Sequence, residues 1–102
     1  MYEYKAQVIR VIDGDTVEVN IDLGFRMSYK TKMRLALLNA FELKTAEGLK
    51  AKARVEELTL NKPNTMIYSK GFDKYGRVLG IVYVNGESVN AQLLNEGLAV
   101  KA

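Results

Sequence analysis

Apolar and polar positions alternate almost from the N-terminus. Val8, Ile9, Val11 and Ile12 form a β-branched stretch, Asp13-Gly14-Asp15 breaks it, and Val17, Val19 and Ile21 then alternate with Glu18, Asn20 and Asp22. Two such runs around an Asp-Gly pair predict a hairpin with strands over residues 4–12 and 15–22, the glycine supplying the positive φ that tight turns demand. Residues 23–31 read as a loop broken at Gly24. A third strand follows over 31–38, where Met33, Leu35 and Leu37 alternate with Arg34, Ala36 and Leu38. From Thr45 the period becomes helical, with Thr45 as N-cap and Glu47 in the first turn. The stripes Ala51, Val55, Leu58 and Leu49, Ala53, Leu60 predict a helix gripped on more than one side, ended by Asn61, Pro63 and Asn64.

Residues 65–70 read as a short strand, 71–77 as a loop with two glycines, and 78–84 as a buried strand. Asn85-Gly86 makes a second tight turn, and 89–96 form a short helix capped by Ser88 or Asn90 and stopped by Gly97. Three strands, a helix, two strands and a helix predict a five-stranded Greek-key β-barrel of the OB type with helices, α+β by content, as one domain over residues 1–102.

Composition narrows the chemistry. The chain has no cysteine and no histidine, which removes disulfides, thiolate nucleophiles, cysteine zinc sites and the commonest general base together. Acid-base work falls to Asp, Glu, Lys, Tyr or an activated water, and any metal should be a hard, oxygen-seeking ion such as Ca²⁺ or Mg²⁺. The net charge of +3 fits a polyanionic partner without a dense basic block. No apolar run is long enough to cross a bilayer and the first residues lack signal-peptide zones, so the expectation is a cytoplasmic monomer with no membrane partner; a processed secreted form would read the same way.

Three polar clusters remain. Arg34 sits inside an apolar strand, where it needs an anion, either a salt-bridge partner or a ligand such as phosphate. Asp13-Gly14-Asp15-Thr16 is a turn that needs no function, and Asp73-Lys74-Tyr75-Gly76-Arg77 reads equally as a solvated loop. Glu42, just ahead of a helix, is on its own an ordinary surface carboxylate. Their joint occurrence in this order on a barrel-like pattern is harder to dismiss.

These residues resemble the staphylococcal (thermo)nuclease-like family. The likeness is carried by Val11-Ile12-Asp13-Gly14-Asp15-Thr16-Val17, by Arg34-Leu35 leading to Glu42, by Asp73-Lys74-Tyr75-Gly76-Arg77, and by Val89-Asn90 and Gly97-Leu98-Ala99. Asp22-Leu23-Gly24-Phe25 and the compact length are similar to phage or prophage versions. The resemblance implies an OB-fold phosphodiesterase that cuts DNA or RNA with Ca²⁺. By position it implies Asp15, Asn39 and the carbonyl of Ala40 as metal ligands, and Glu42 as the group that positions or deprotonates the attacking water. It implies Arg34 and Arg77 as contacts to the reacting phosphate, and Lys74 and Tyr75 as contacts to a neighbouring one. The pattern departs from the family at Asn39, where an Asp is usual, and at Phe41, where a Pro is usual. Loss of one negative charge should weaken the metal site, and loss of the proline should loosen the turn that aims Glu42. The alternative reading is a non-catalytic OB-fold module that binds nucleic acid or protein.

Overall fold

The structure is a computed structural model and describes residues 2–102. The elements run β1 (Tyr2–Asp13), β2 (Thr16–Gly24), β3 (Met27–Leu35), β4 (Leu38–Ala40), α1 (Ala46–Thr59), β5 (Thr65–Phe72), β6 (Val78–Val84), β7 (Glu87–Ser88), α2 (Val89–Asn95) and β8 (Ala99–Lys101). The β-branched runs lie side by side, Val8 opposite Val19 and Val11 opposite Val17. Antiparallel pairing links β3, β2, β1, β5 and β6 in that spatial order. A short parallel pairing, Met33 with Val78 through Leu35 with Gly80, closes these strands into the expected five-stranded barrel.

One face of each strand fills the barrel. Val17, Val19, Met33, Ile67 and Val82 are fully buried, and α1 and α2 add Val55, Val89 and Leu93 to the same cluster. Asn90 is the one buried amide among them; its Oδ1 accepts from Val82 N–H at 3.1 Å, and its Nδ2 donates to the Ala36 carbonyl at 2.9 Å and the Gly80 carbonyl at 3.3 Å. It therefore ties α2 to the strand junction that carries the candidate site.

The structure corrects several expectations. Residues 23–31 are not a loop: β2 and β3 continue as a hairpin to a two-residue turn, Phe25-Arg26, with φ of 54° and 62°. The strand carrying Arg34 ends at Leu35, because Leu37 turns the chain at a φ of 71°; this inverts the alternation, leaving Leu37 exposed and Leu38 buried. The helix is gripped along one stripe only, Gly48, Ala51, Val55 and Thr59, while Leu49 and Ala53 face solvent. Gly14 does not have a positive φ. Its glycine is required by space: a Cβ there would stand 2.8 Å from the Cβ atoms of both Ala40 and Ala51, so the β1–β2 turn packs between β4 and α1 only without one. The strand β8, unread in the sequence, pairs with β4 and fixes Asn39 opposite Val100 and Ala40 opposite Ala99. Among the described residues no helix is long and apolar enough to cross a membrane.

Candidate functional site

Three chain segments meet where the β1–β2 turn, the β3–β4 junction and the β5–β6 loop come together. Asp15 leaves the turn with its backbone carbonyl accepting Leu35 N–H at 2.8 Å, which brings its side chain to Arg34. Arg34 Nη1 is 3.2 Å from Asp15 Oδ2, with the two side chains 17% and 18% exposed. The same guanidinium donates to the carbonyls of Leu35 at 3.1 Å and Leu38 at 3.0 Å, and to Asn39 Oδ1 at 2.6 Å. Asp15 Oδ2 in turn accepts the Ala40 N–H at 3.1 Å, and its Oδ1 accepts the Thr16 hydroxyl at 3.2 Å. Asp15, Arg34, Asn39 and Ala40, separated by up to 25 residues of sequence, thus form one hydrogen-bonded cluster.

Two half-buried carboxyls share this turn, the Asp13 Oδ1 accepting the Asp15 N–H at 3.0 Å. Burial first, and then the hydrogen bond with the Asp15 carboxyl, push Asp13 above the usual carboxylate range. Burial also opposes ionisation of Asp15, but the hydrogen bond with Asp13, the Ala40 N–H and the Arg34 charge together hold it below that range. The side-chain oxygens of Asp15, Asn39 and Asp13 are of the hard type a divalent cation prefers, and Arg34 now engages Asp15 Oδ2 and Asn39 Oδ1. Among the described residues no three acidic side chains converge to hold a metal ion.

The second half of the site is organised by Asp73. Its Oδ1 accepts the backbone N–H groups of Tyr75 and Arg77, each at 2.9 Å, and its Oδ2 accepts Arg77 Nε–H at 2.7 Å. Burial works against its ionisation and is outweighed by these N–H donors and by the Arg77 charge, so the carboxyl sits below its ordinary range. Sequence reading placed Asp73 in the motif without a role; its Asx-type spacing to Tyr75 and Arg77 is the signal that could have revealed one. Held by Nε alone, Arg77 keeps its two terminal nitrogens without a partner among the described residues. Lys74 Nζ lies over the Tyr75 ring at 5.3 Å from its centroid, and the Arg77 guanidinium carbon lies over it at 5.4 Å. Arg34, Lys74, Tyr75 and Arg77 line one cleft of about 480 Å³. A larger groove of about 800 Å³, at the other end of β1, holds neither arginine.

Glu42 stands apart from both halves. Its side chain is exposed and 3.6 Å from Lys44 Nζ, with no hydrogen bond or ion pair to Asp15, Arg34 or Arg77 among the described residues. Its backbone is held firmly all the same: the Glu42 carbonyl accepts both the N–H of Thr45 at 3.0 Å and its hydroxyl at 2.6 Å, while that hydroxyl caps α1 through Gly48 N–H. A Cβ on Gly48 would stand 1.8 Å from the Glu42 carbonyl oxygen. The Thr45 N–H and hydroxyl thus fix the Glu42 carbonyl at the start of α1, and Gly48 leaves room for that oxygen.

A family model described as Staphylococcal nuclease homologue matches residues 32–102. A micrococcal nuclease of Shigella flexneri is 31% identical over 106 residues, covering 95% of this chain and 58% of its own length. Endonuclease YncB of Bacillus subtilis (strain 168) is 38% identical over 98 residues, covering 88% of this chain and 44% of its own. An SPbeta prophage-derived endonuclease, YokF, from the same strain is 36% identical over 102 residues, covering 88% of this chain and 31% of its own. The chain spans about half the length of the curated relatives it matches.

Proposed function

This chain belongs to the family of staphylococcal nuclease homologues, and from that premise we propose that it is a Ca²⁺-dependent nuclease hydrolysing phosphodiester bonds of DNA or RNA. The observation that carries the reading is Arg77: anchored through Nε to Asp73, it offers a pre-aimed pair of terminal donors in the same cleft as Arg34. A phosphodiester resists attack because its oxygens repel a nucleophile, and fixed donors aimed at those oxygens lower that barrier by several kcal/mol.

In this reading Arg34 and Arg77 hold the oxygens of the reacting phosphate, while Lys74 and Tyr75 hold the next phosphate along. The Glu42 carboxylate orients a water and takes its proton as the water oxygen attacks phosphorus; the bond to the leaving oxygen breaks, and that oxygen takes a proton from solvent. No histidine is required. Asp15, Asn39 and the Ala40 carbonyl would hold the cation, which when bound stabilises charge developing on the phosphate oxygens. Arg34 reaches phosphate by giving up Asn39 or Asp15, which frees those oxygens for the cation, so cation and substrate binding break the same contacts and favour one another.

Purified protein incubated with single-stranded DNA and with RNA, in Ca²⁺ or in chelator, tests this. Cleavage in Ca²⁺ that stops in chelator and is lost in Glu42→Gln is the expected result; cleavage unchanged in chelator overturns the metal dependence. The alternative, a module that binds without cutting, draws on Asn39, whose oxygen is spent on Arg34. Binding without cleavage at any Ca²⁺ concentration would establish it.

A further inference from the structure

The β2–β3 hairpin runs well past the barrel, and it carries a feature of charge that neither the core nor the site above uses. Residues 27–32 of β3 pair with β2 on one side only, since β6 joins β3 from Met33 onward. By alternation Arg34, Lys32, Lys30 and Ser28 share one strand face, opposite Thr16, Glu18, Asn20 and Asp22 of β2, and Arg26 follows in the turn. Lys30, Lys32 and Arg26 are exposed and take part in no ion pair found among the described residues. Across the ladder Glu18 lies 3.7 Å from Arg10, while Asp22 accepts the Gly24 N–H at 2.8 Å and keeps its charge. Lys32, Lys30 and Arg26 outnumber Asp22, so net positive charge lies along the exposed face of β3 next to Arg34, whose own charge is met by Asp15.

We propose that this face is a track for a single polynucleotide strand, leading from the reacting phosphate at Arg34 past Lys32 and Lys30 to the hairpin tip. The proposal rests on the nuclease reading for its direction, since Arg34 is where the track meets the site. Strand neighbours on one face repeat every 6.6 Å or so, about twice the 3.4 Å phosphate rise of a stacked strand. Each cation thus meets every second phosphate of a stacked strand and approaches every phosphate of an unstacked, extended one. At the far end, in the turn, Phe25 is 97% exposed in a left-handed conformation. The fold gains nothing from an unburied ring held there, whereas bases released by an extended strand stack on such a surface. The substrate class is consequently a long, single-stranded polymer, gripped outside the cleft, and not a dinucleotide. The competing explanation is that lysines on an open edge merely block strand-to-strand aggregation.

Fluorescence anisotropy of labelled oligothymidylate, about 15 nucleotides long to span several sites, and of a labelled dinucleotide, measured in chelator across a salt series, separates the two. Chelator removes cleavage from the measurement, so a chain that never cuts can still show the track, and a chain that cuts can still lack it. Lys30→Gln/Lys32→Gln is expected to weaken the long oligomer about tenfold near 0.1 M salt and to reduce the salt slope by about 1.4, or 0.7 for each phosphate that is no longer neutralised. The dinucleotide should lose far less. Lys5→Gln/Lys62→Gln, which removes the same charge from the groove at the other end of β1, should leave the slope where it was. Phe25→Asn, a residue that tolerates the turn's φ, should keep the fold and weaken the long oligomer about fivefold or more. Equal effects of both double variants, equal losses for long and short ligands, or an unchanged slope with new self-association in sedimentation would each overturn the track.

Discussion

The Asp73 carboxylate grips Arg77 twice, taking its backbone N–H at 2.9 Å on one oxygen and its Nε–H at 2.7 Å on the other. The guanidinium is thereby oriented before any ligand arrives, with its terminal nitrogens left for that ligand. Asp73→Asn keeps an oxygen for the backbone donors and removes the anion that holds Nε. We expect turnover to fall at least tenfold with the chain still folded, as judged by steady-state kinetics beside a thermal melt. The pH dependence has a definite sign. Because folding lowers the Asp73 carboxyl, its stabilising effect is complete above the unfolded value near 4 and disappears as pH falls through the folded one. Urea midpoints of wild type and Asp73→Asn should therefore differ at neutral pH and converge in acid.

The two arginines should separate under the same conservative change. Arg34 donates to two carbonyls and to Asn39 besides facing Asp15, and it is largely buried. Arg34→Lys, which loses the fork, is expected to cost about 2–4 kcal/mol of stability as well as activity. Arg77→Lys should leave the urea midpoint nearly unchanged and depress kcat more than it raises KM. Equal destabilisation in both variants would return Arg77 to a purely structural role.

If Asn39 faces the proposed cation, Asn39→Asp adds an anionic oxygen there, and calorimetric titration should register tighter Ca²⁺ binding. The new carboxylate would lie against Asp15, but it would also face the Arg34 nitrogen that Asn39 now contacts at 2.6 Å. The two effects offset, and the metal-free melting temperature should move by no more than a few degrees, a change of about 1 kcal/mol or less. A variant that binds Ca²⁺ no better would mean that this side chain does not face the metal.

Replacing glycine by alanine within a helix ordinarily stabilises by about 1 kcal/mol. Gly48→Ala is expected to do the opposite, costing about 1–3 kcal/mol, because the added methyl would overlap the Glu42 carbonyl, 1.8 Å away. The helix start and the Glu42 segment must then move apart. Displacement of a catalytic group by about 1 Å costs on the order of a hundredfold in rate, so cleavage should fall far more than stability does. Retention of full activity in Gly48→Ala would remove Glu42 from the mechanism.

The chain's own pattern determined its elements wherever a period was long enough to be unambiguous. The valine runs of β1 and β2, the stripe Ala51 and Val55, the Thr45 cap and the Asn85-Gly86 turn are local signals, because each is decided by neighbours within a few residues. The motif residues were legible for the same reason. What tertiary structure decided is which of them meet and what each is already doing. Leu37 left the strand because the chain must turn to pair β4 with β8, far along the sequence, where Ala40 meets Ala99 and Leu38 meets Lys101. Gly14 and Gly48 are glycines because of atoms in Ala40, Ala51 and Glu42, and no local rule of φ would have found those contacts. Arg34 and Arg77 look alike in sequence, yet one has both terminal nitrogens engaged by carbonyls, Asn39 and Asp15, and the other is hydrogen-bonded through Nε with its terminal nitrogens left open. The occupancy of a donor depends on distances across the barrel, and those exist only once the strands have paired.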